Sequence, residues 1–209
     1  MNVFKPFVLL FALATGMVLV SCGGETTEET TETTEETTET EEATAESAEY
    51  TFDASNATIK WNGKKVTGEH FGTIDLQNGM LTVEDGRPVN GKFVVDMTSI
   101  TVTDIEDEEK NAKLTGHLKS PDFFAVDSFN TATLVINSAS DEQAKGELTI
   151  RGITNDVKFP YTISDDAINA ELTVDRTLYN VRYGSGKFFE DLGDKMIYDD
   201  FTLMIELEK

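Results

Sequence analysis

Gly146-Glu147-Leu148-Thr149-Ile150-Arg151, and soon after it Asp156-Val157-Lys158-Phe159-Pro160-Tyr161-Thr162-Ile163, carry the pattern that decides the fold. Leu148 and Ile150 lie between Glu147, Thr149 and Arg151. Val157, Phe159, Tyr161 and Ile163 face one way, and Asp156, Lys158, Pro160 and Thr162 face the other. Successive side chains of a strand point to opposite faces, so this alternation predicts strands with one wet and one buried face. The same period recurs upstream in Tyr50/Phe52/Ala54, Ile59/Trp61 and Phe93/Val95/Met97. Downstream it recurs in Ile168/Ala170/Leu172/Val174 and Phe201/Leu203/Ile205/Leu207. About eight such runs predict an antiparallel sheet. Asn78-Gly79, Asp85-Gly86 and Asn90-Gly91 read as turns between strands. Alternation fits a barrel and a two-sheet sandwich equally, but closing into a barrel removes the exposed edges.

One segment departs from this period. Asp104–Lys119 places Glu106, Asp107, Glu108 and Glu109 ahead of Lys110 and Lys113, the order a helix dipole favours. Leu114 and Leu118 stand one turn apart and give that helix an apolar side. Ser120-Pro121-Asp122 then reads as a cap, a first-turn proline and an acidic position, predicting a short helical turn carrying Phe123 and Phe124. A helical insert of this kind covers one open end of a barrel, where two adjacent Phe residues plug or line the mouth.

The chain opens differently. Met1–Pro6 carries Lys5, Phe7–Val20 is apolar, and Leu19-Val20-Ser21-Cys22 ends the run with the only cysteine. The apolar run is shorter than the roughly 20 residues of a membrane-spanning helix, which favours a signal peptide over residues 1–21. The Leu-x-Ser-Cys ending resembles the lipobox of bacterial lipoproteins, which implies cleavage before Cys22 and its acylation. Two or more acyl chains make a stable anchor. Residues 22–48 are nearly all Glu and Thr after two glycines, with no aromatic or large aliphatic side chain. Such a segment cannot offset its ordering entropy and reads as a disordered tether, spanning about 30 Å on average. Residues 49–209 form one domain. Ten of the chain's 39 acidic and one of its 17 basic residues precede Glu49, which leaves 29 and 16 and a net charge of −13 for the domain. That charge argues against nucleic acid as a partner. It also repels anionic lipid, so the membrane contact is expected through lipidated Cys22.

Several stretches resemble the YceI-like family in that family's order. They are Gly68-Glu69-His70-Phe71-Gly72-Thr73-Ile74, Val95-Asp96-Met97-Thr98-Ser99-Ile100, Gly116–Phe124, Gly146–Thr154 with Val157–Pro160, and the late Asp175-Arg176. The resemblance implies an all-β, lipocalin-like, eight-stranded antiparallel barrel with a short helical insert. It also implies a long apolar cavity, a polyisoprenoid ligand such as a quinone or prenyl phosphate, and export to the bacterial envelope. With the lipobox, this places the protein at a lipid-anchored site, expected at the outer membrane on its periplasmic or surface face.

Trp61, Phe71, Phe93, Leu118, Phe123, Phe124, Phe159 and Phe201 are the candidate cavity residues; core filling is the stronger reading for any one of Trp61, Phe71, Phe93, Phe159 and Phe201, whereas Phe123 and Phe124 sit on the irregular segment at the mouth. Arg176 and Tyr179, where a strand gives way to Tyr183-Gly184-Ser185-Gly186, are the candidate head-group residues; a structural ion pair competes with that role. Catalysis finds little support. His70 and His117 read as caps or structural hydrogen bonds, and no nucleophile, base and acid are grouped as a triad requires. No zinc or EF-hand spacing occurs, so no metal and no cofactor beyond a bound isoprenoid or quinone is expected. The leading expectation is a non-enzymatic, membrane-tethered lipid binder. An envelope interaction protein using the barrel as a scaffold, and a lipid-directed hydrolase or isomerase, are the alternatives, and homo-oligomerisation stays open.

Overall fold

The computed structural model describes residues 46–209; the apolar leader, Cys22 and the Glu/Thr tether up to Ala45 lie outside the described residues. The alternating runs form nine strands: β1 (Ser47–Phe52), β2 (Ala57–Lys65), β3 (Gly68–Glu84), β4 (Arg87–Val102), β5 (Thr131–Ala139), β6 (Gln143–Ile150), β7 (Ile153–Ile163), β8 (Ala167–Asp175) and β9 (Ile197–Glu208). One helix, α1 (Glu108–Lys119), joins β4 to β5. The first strand thus begins two residues before the domain boundary drawn from the sequence.

Each strand pairs antiparallel with its neighbours, and β2 pairs with β9 to close the sheet. Both β1 and β2 pair with β3, β1 along Gly79–Glu84 and β2 along Gly68–Ile74, so the two share one position in an eight-position barrel. Asp53–Asn56 interrupts them. Asn56 holds the break by donating from Nδ2 to the carbonyls of Thr51 and Glu208.

The barrel has two unlike ends. The lower end carries the start of β1, the short β3–β4, β5–β6 and β7–β8 turns, and the C-terminus. The upper end carries the β2–β3 turn, α1 with the following loop, the β6–β7 turn, and the long β8–β9 connection. At the lower end Asp85 and Gly86 both have positive φ (48° and 75°), as a two-residue hairpin turn requires. The other two glycine signals do not turn the chain. Asn78-Gly79 lies inside β3 and Asn90-Gly91 inside β4. Burial in β3 falls on even positions up to Leu76 and on odd positions from Gly79 to Val83. The pair therefore marks a bulge, where one extra residue flips the inward face. A Cβ on Gly79 would meet the Phe93 ring at 2.5 Å, so this glycine also clears room for an inward aromatic.

Helix α1 starts later than the acidic run suggests, at Glu108, because Asp107 caps it by accepting from the Lys110 N–H. Ser120 ends this helix instead of starting another. Its N–H and its hydroxyl both donate to the His117 carbonyl. Pro121–Phe124 is a hydrogen-bonded turn, not a helix, closed by the Phe123 and Ala125 N–H groups donating to the Ser120 carbonyl.

Candidate functional site

The inward faces of the strands enclose an apolar cavity of ≈ 170 Å³, counted as space open to the centre of a water molecule. Its wall is nearly all aliphatic and aromatic. The charged lining groups Lys64, Arg176 and Asp200 all sit at the upper end, beside Tyr198. The lining also reaches the lower end, where Leu81, Ile136, Phe159 and Leu207 join Phe93, on which Phe52 stacks with centroids 6.2 Å apart.

Inward residues of β5, β6 and β7 such as Leu134, Leu148 and Phe159 are buried, whereas Phe201, Leu203 and Ile205 of β9 line the cavity and are only half-buried. The pairing of β9 with β2 explains where this space opens. Gly63 faces Phe201 and Lys65 faces Ile197, so four steps of β9 lie against two of β2. The surplus is a bulge, and the cavity lining extends past it to Gly63, Lys64, Ile197, Tyr198 and Asp200, which we take as the portal.

The aromatic lid above the cavity comes from the loop after α1. Phe123 and Phe124 pack edge to face at 5.0 Å, Phe124 meets Phe201 at 6.3 Å, and Leu118 is buried beneath α1. Arg151 fixes this loop. It stands at the β6–β7 turn with φ 52° and donates to the carbonyls of Phe123 (2.6 Å), Asn180 (3.0 Å) and Pro121 (3.3 Å). His117 packs between Phe123 and Tyr183, with ring centroids at 5.6 and 4.5 Å, and its buried Nε2 has no hydrogen-bond partner among the described residues.

Seven of the eight sequence candidates, Trp61, Phe93, Leu118, Phe123, Phe124, Phe159 and Phe201, lie on the cavity wall. Phe71 does not. It is 45% exposed, because the inward face of this part of β3 is Gly72, Ile74 and Leu76. Trp61 reaches the wall with its indole N–H donating to the Thr101 carbonyl at 3.0 Å. The portal residues Lys64, Tyr198 and Asp200 were not singled out from the sequence. The β2–β9 register shift that groups them leaves no mark in composition or period.

Arg176 lines the upper cavity but is committed to the backbone. It is 2% exposed and donates to the carbonyls of Tyr198 (3.0 Å), Val181 (2.8 Å) and Ile197 (3.0 Å), with Asp199 at 3.7 Å. Burial pulls its pKa below the usual guanidinium value, against Asp199 and Asp175, which raise it. Tyr179 is buried behind the wall, away from the cavity lining, and burial raises its pKa. Asp175 anchors the same corner by accepting from Thr177 and from Lys187 Nζ at 2.8 Å.

His70 pairs with Asp104 through Nδ1 and Oδ2 at 2.8 Å, and Asp104 also accepts from the Phe71 N–H at 3.0 Å. Burial raises the Asp104 pKa, but the bonds from His70 and Phe71 outweigh it and hold the carboxyl below its ordinary range. The pair clasps β3 to the segment leading into α1. Among the described residues no group of three or more His, Cys, Asp or Glu is placed to hold a metal.

The barrel resembles solved structures. BcnA of Burkholderia cenocepacia superposes with a TM-score of 0.56 at 18% identity, over 73% of this chain and 96% of that one. A polyisoprenoid binding domain from Saccharophagus degradans gives a TM-score of 0.48 at 13% identity, over 78% of this chain and 100% of that one. Among curated proteins, UPF0312 proteins of Staphylococcus aureus strains USA300 and NCTC 8325 / PS 47 are each 48% identical over 50 residues. That segment is 24% of this chain and spans 29% of those relatives' length. The family model of the YceI-like domain matches residues 50–209, the whole closed barrel with its helical insert, and the chain belongs to that family.

Proposed function

We propose that the domain sequesters or carries a long apolar chain, such as an isoprenoid, in its barrel without catalysing a reaction, and that lipidated Cys22 ties it to the bacterial envelope at the outer membrane. The free space inside the nearly all-apolar wall, lined along β9 by the half-buried Phe201, Leu203 and Ile205, is the observation that carries this reading. Burying about 300 Å² of ligand surface would contribute roughly 8 kcal/mol gross at 25 cal/mol per Å². Ordering and desolvation offset part of that. The polar end of the ligand would meet Lys64, Tyr198 and Asp200 at the portal, because the donors of Arg176 are engaged with main-chain carbonyls.

A barrel serving only as a scaffold would be filled by its own side chains, which the half-buried Phe201, Leu203 and Ile205 argue against. A hydrolase acting on a lipid in the barrel would need its base at the cavity, and neither His70 nor His117 lines it. The test is solvent extraction and mass spectrometry of protein purified from its native envelope. An isoprenoid or similar lipid in stoichiometric amount is expected. Lipid-free protein that also takes up no added polyprenol would end the carrier reading.

A further inference from the structure

Among the described residues, the exposed large apolar side chains are distributed unevenly. Phe71, Met80 and Met204 lie on the barrel strands, and Phe129, Ile153 and Leu178 lie around the β6–β7 turn, while Val66, Tyr183, Phe188, Phe189 and Tyr198 form a separate group at the upper end, on the β2–β3 turn, the β8–β9 connection and the start of β9. The β8–β9 connection holds most of them, and it is a braced loop. Ser185 is completely buried, its carbonyl accepts from the N–H groups of both Phe188 and Phe189 (3.1 Å each), and the Gly184 carbonyl accepts from the Ile197 N–H. Lys187 binds Asp175 and Asp199, and Val66 N–H donates to the Met196 carbonyl, which links the loop to the β2–β3 turn. This bracing holds Phe188 and Phe189 outward at 44% and 49% exposure.

We propose that this collar docks on the surface of a zwitterionic lipid bilayer, with Phe188 and Phe189 entering the interface and the portal facing the lipid. Aromatic side chains flanked by cations suit that interface. Arg182 lies over the Phe188 ring at 4.5 Å, and Lys64, Lys65, Lys187 and Lys195 belong to the end of β2 and the same loop. Asp175 and Asp199, already paired to Lys187, and Glu190, Asp191, Asp194 and Asp200 leave these elements without net positive charge, and the domain as a whole is acidic, so neutral lipid is favoured over anionic lipid. An apolar cargo leaving the portal against a bilayer never crosses water. The reach of the chain permits the contact. Glu46 stands at the lower end, and the chain from Cys22 to Glu46 can extend to about 80 Å. The barrel height is only about 40 Å, from a 17-residue strand at the usual rise and tilt.

The inference rests on the carrier reading for what passes the portal, and on the braced loop for the contact itself. The protein without its leader and Cys22, residues 23–209, so that neither the apolar run nor an acyl anchor contributes, is floated with phosphatidylcholine–phosphatidylethanolamine vesicles that contain no polyisoprenoid. It is expected to float, and Phe188→Ser with Phe189→Ser is expected to cut the bound fraction at least tenfold. Thermal melting and uptake of the fluorophore diphenylhexatriene into the cavity should be unchanged in that variant. Met80→Ser with Met204→Ser should float like the parent chain. No flotation, equal flotation of the Phe variant, or flotation only with added phosphatidylglycerol overturns the docking. Failure of the parent chain to take up the fluorophore counts against the carrier reading, whichever way the vesicles behave.

Discussion

Arg176 places a full charge at the apolar upper end of the barrel, and its geometry decides what that charge does. Three of its N–H groups end on main-chain carbonyls of the β8–β9 connection and β9, so it closes that connection onto the barrel. Removing a buried, hydrogen-bonded charge leaves its partners uncompensated. Arg176→Leu should therefore lower stability by about 3–5 kcal/mol in urea unfolding. Arg176→Lys should also destabilise clearly, since an ammonium cannot reach three carbonyls in one plane. A purely ligand-binding arginine would tolerate both changes in the absence of lipid. Asp104 makes a second residue-scale prediction. Its carboxyl is depressed by His70 and Phe71, so it adds stability that is fully present above the unfolded value, near pH 4, and is lost as the pH falls through the depressed folded value. Asp104→Asn should cost about 1 kcal/mol at pH 7. The gap from the parent should close as the pH falls through the depressed folded value, below which the parent carboxyl is itself protonated. Urea titrations of both proteins at neutral and acid pH measure it. Phe71 could have been placed from sequence parity alone, since counting back from Ile74 puts Gly72 inside and Phe71 outside.

Strands were legible because a strand with one wet face writes a period of two into the chain, and β6, β7, β8 and β9 follow theirs closely. The insert was legible as well, apart from its start and the turn after it. Asn78-Gly79 and Asn90-Gly91 misled for a physical reason. A glycine is used wherever a backbone must turn or a neighbour must come close, and only the facing strand separates the two uses. For Gly79 the neighbour is the Phe93 ring; for Gly91 it is Leu81. The portal was illegible for a similar reason, because it depends on a register between β2 and β9. Close approach predicts the cost of filling such sites. A Cβ on Gly72 would overlap the Thr101 carbonyl oxygen, and one on Gly146 the Val135 carbonyl oxygen; both neighbours are backbone and cannot swing aside. Gly146→Ala and Gly72→Ala should each destabilise by about 2–4 kcal/mol in chemical unfolding, more than ordinary overpacking, because strands must separate to admit the methyl. Alanine at Gly63, which has nothing within 4 Å of a built Cβ, is the control and should change stability little.

At the scale of the whole molecule, the barrel keeps free space inside its apolar wall, and this space links stability to cargo. An unfilled apolar wall forfeits contacts that a ligand would supply. A ligand that binds only the folded state adds about 2.7 kcal/mol at a hundredfold excess over its Kd. For a domain of this size each kcal/mol raises Tm by about 2–4 °C, so saturation with a polyprenol should raise it by about 5–10 °C. Filling the space with protein should decouple the two effects. Leu203 lines the free space from the middle of β9, between Phe201 and Ile205, and is only half-buried, so Leu203→Trp adds aromatic volume to the cavity. Overpacking a full core costs about 1–3 kcal/mol, but here the ring enters space already open. The variant should fold with a Tm close to that of the lipid-free parent, and its Tm should no longer respond to polyprenol. Calorimetry of both proteins with and without polyprenol is decisive. A parent Tm that ignores the lipid removes the link between cavity and cargo. A variant that still responds like the parent places the lipid elsewhere than along β9.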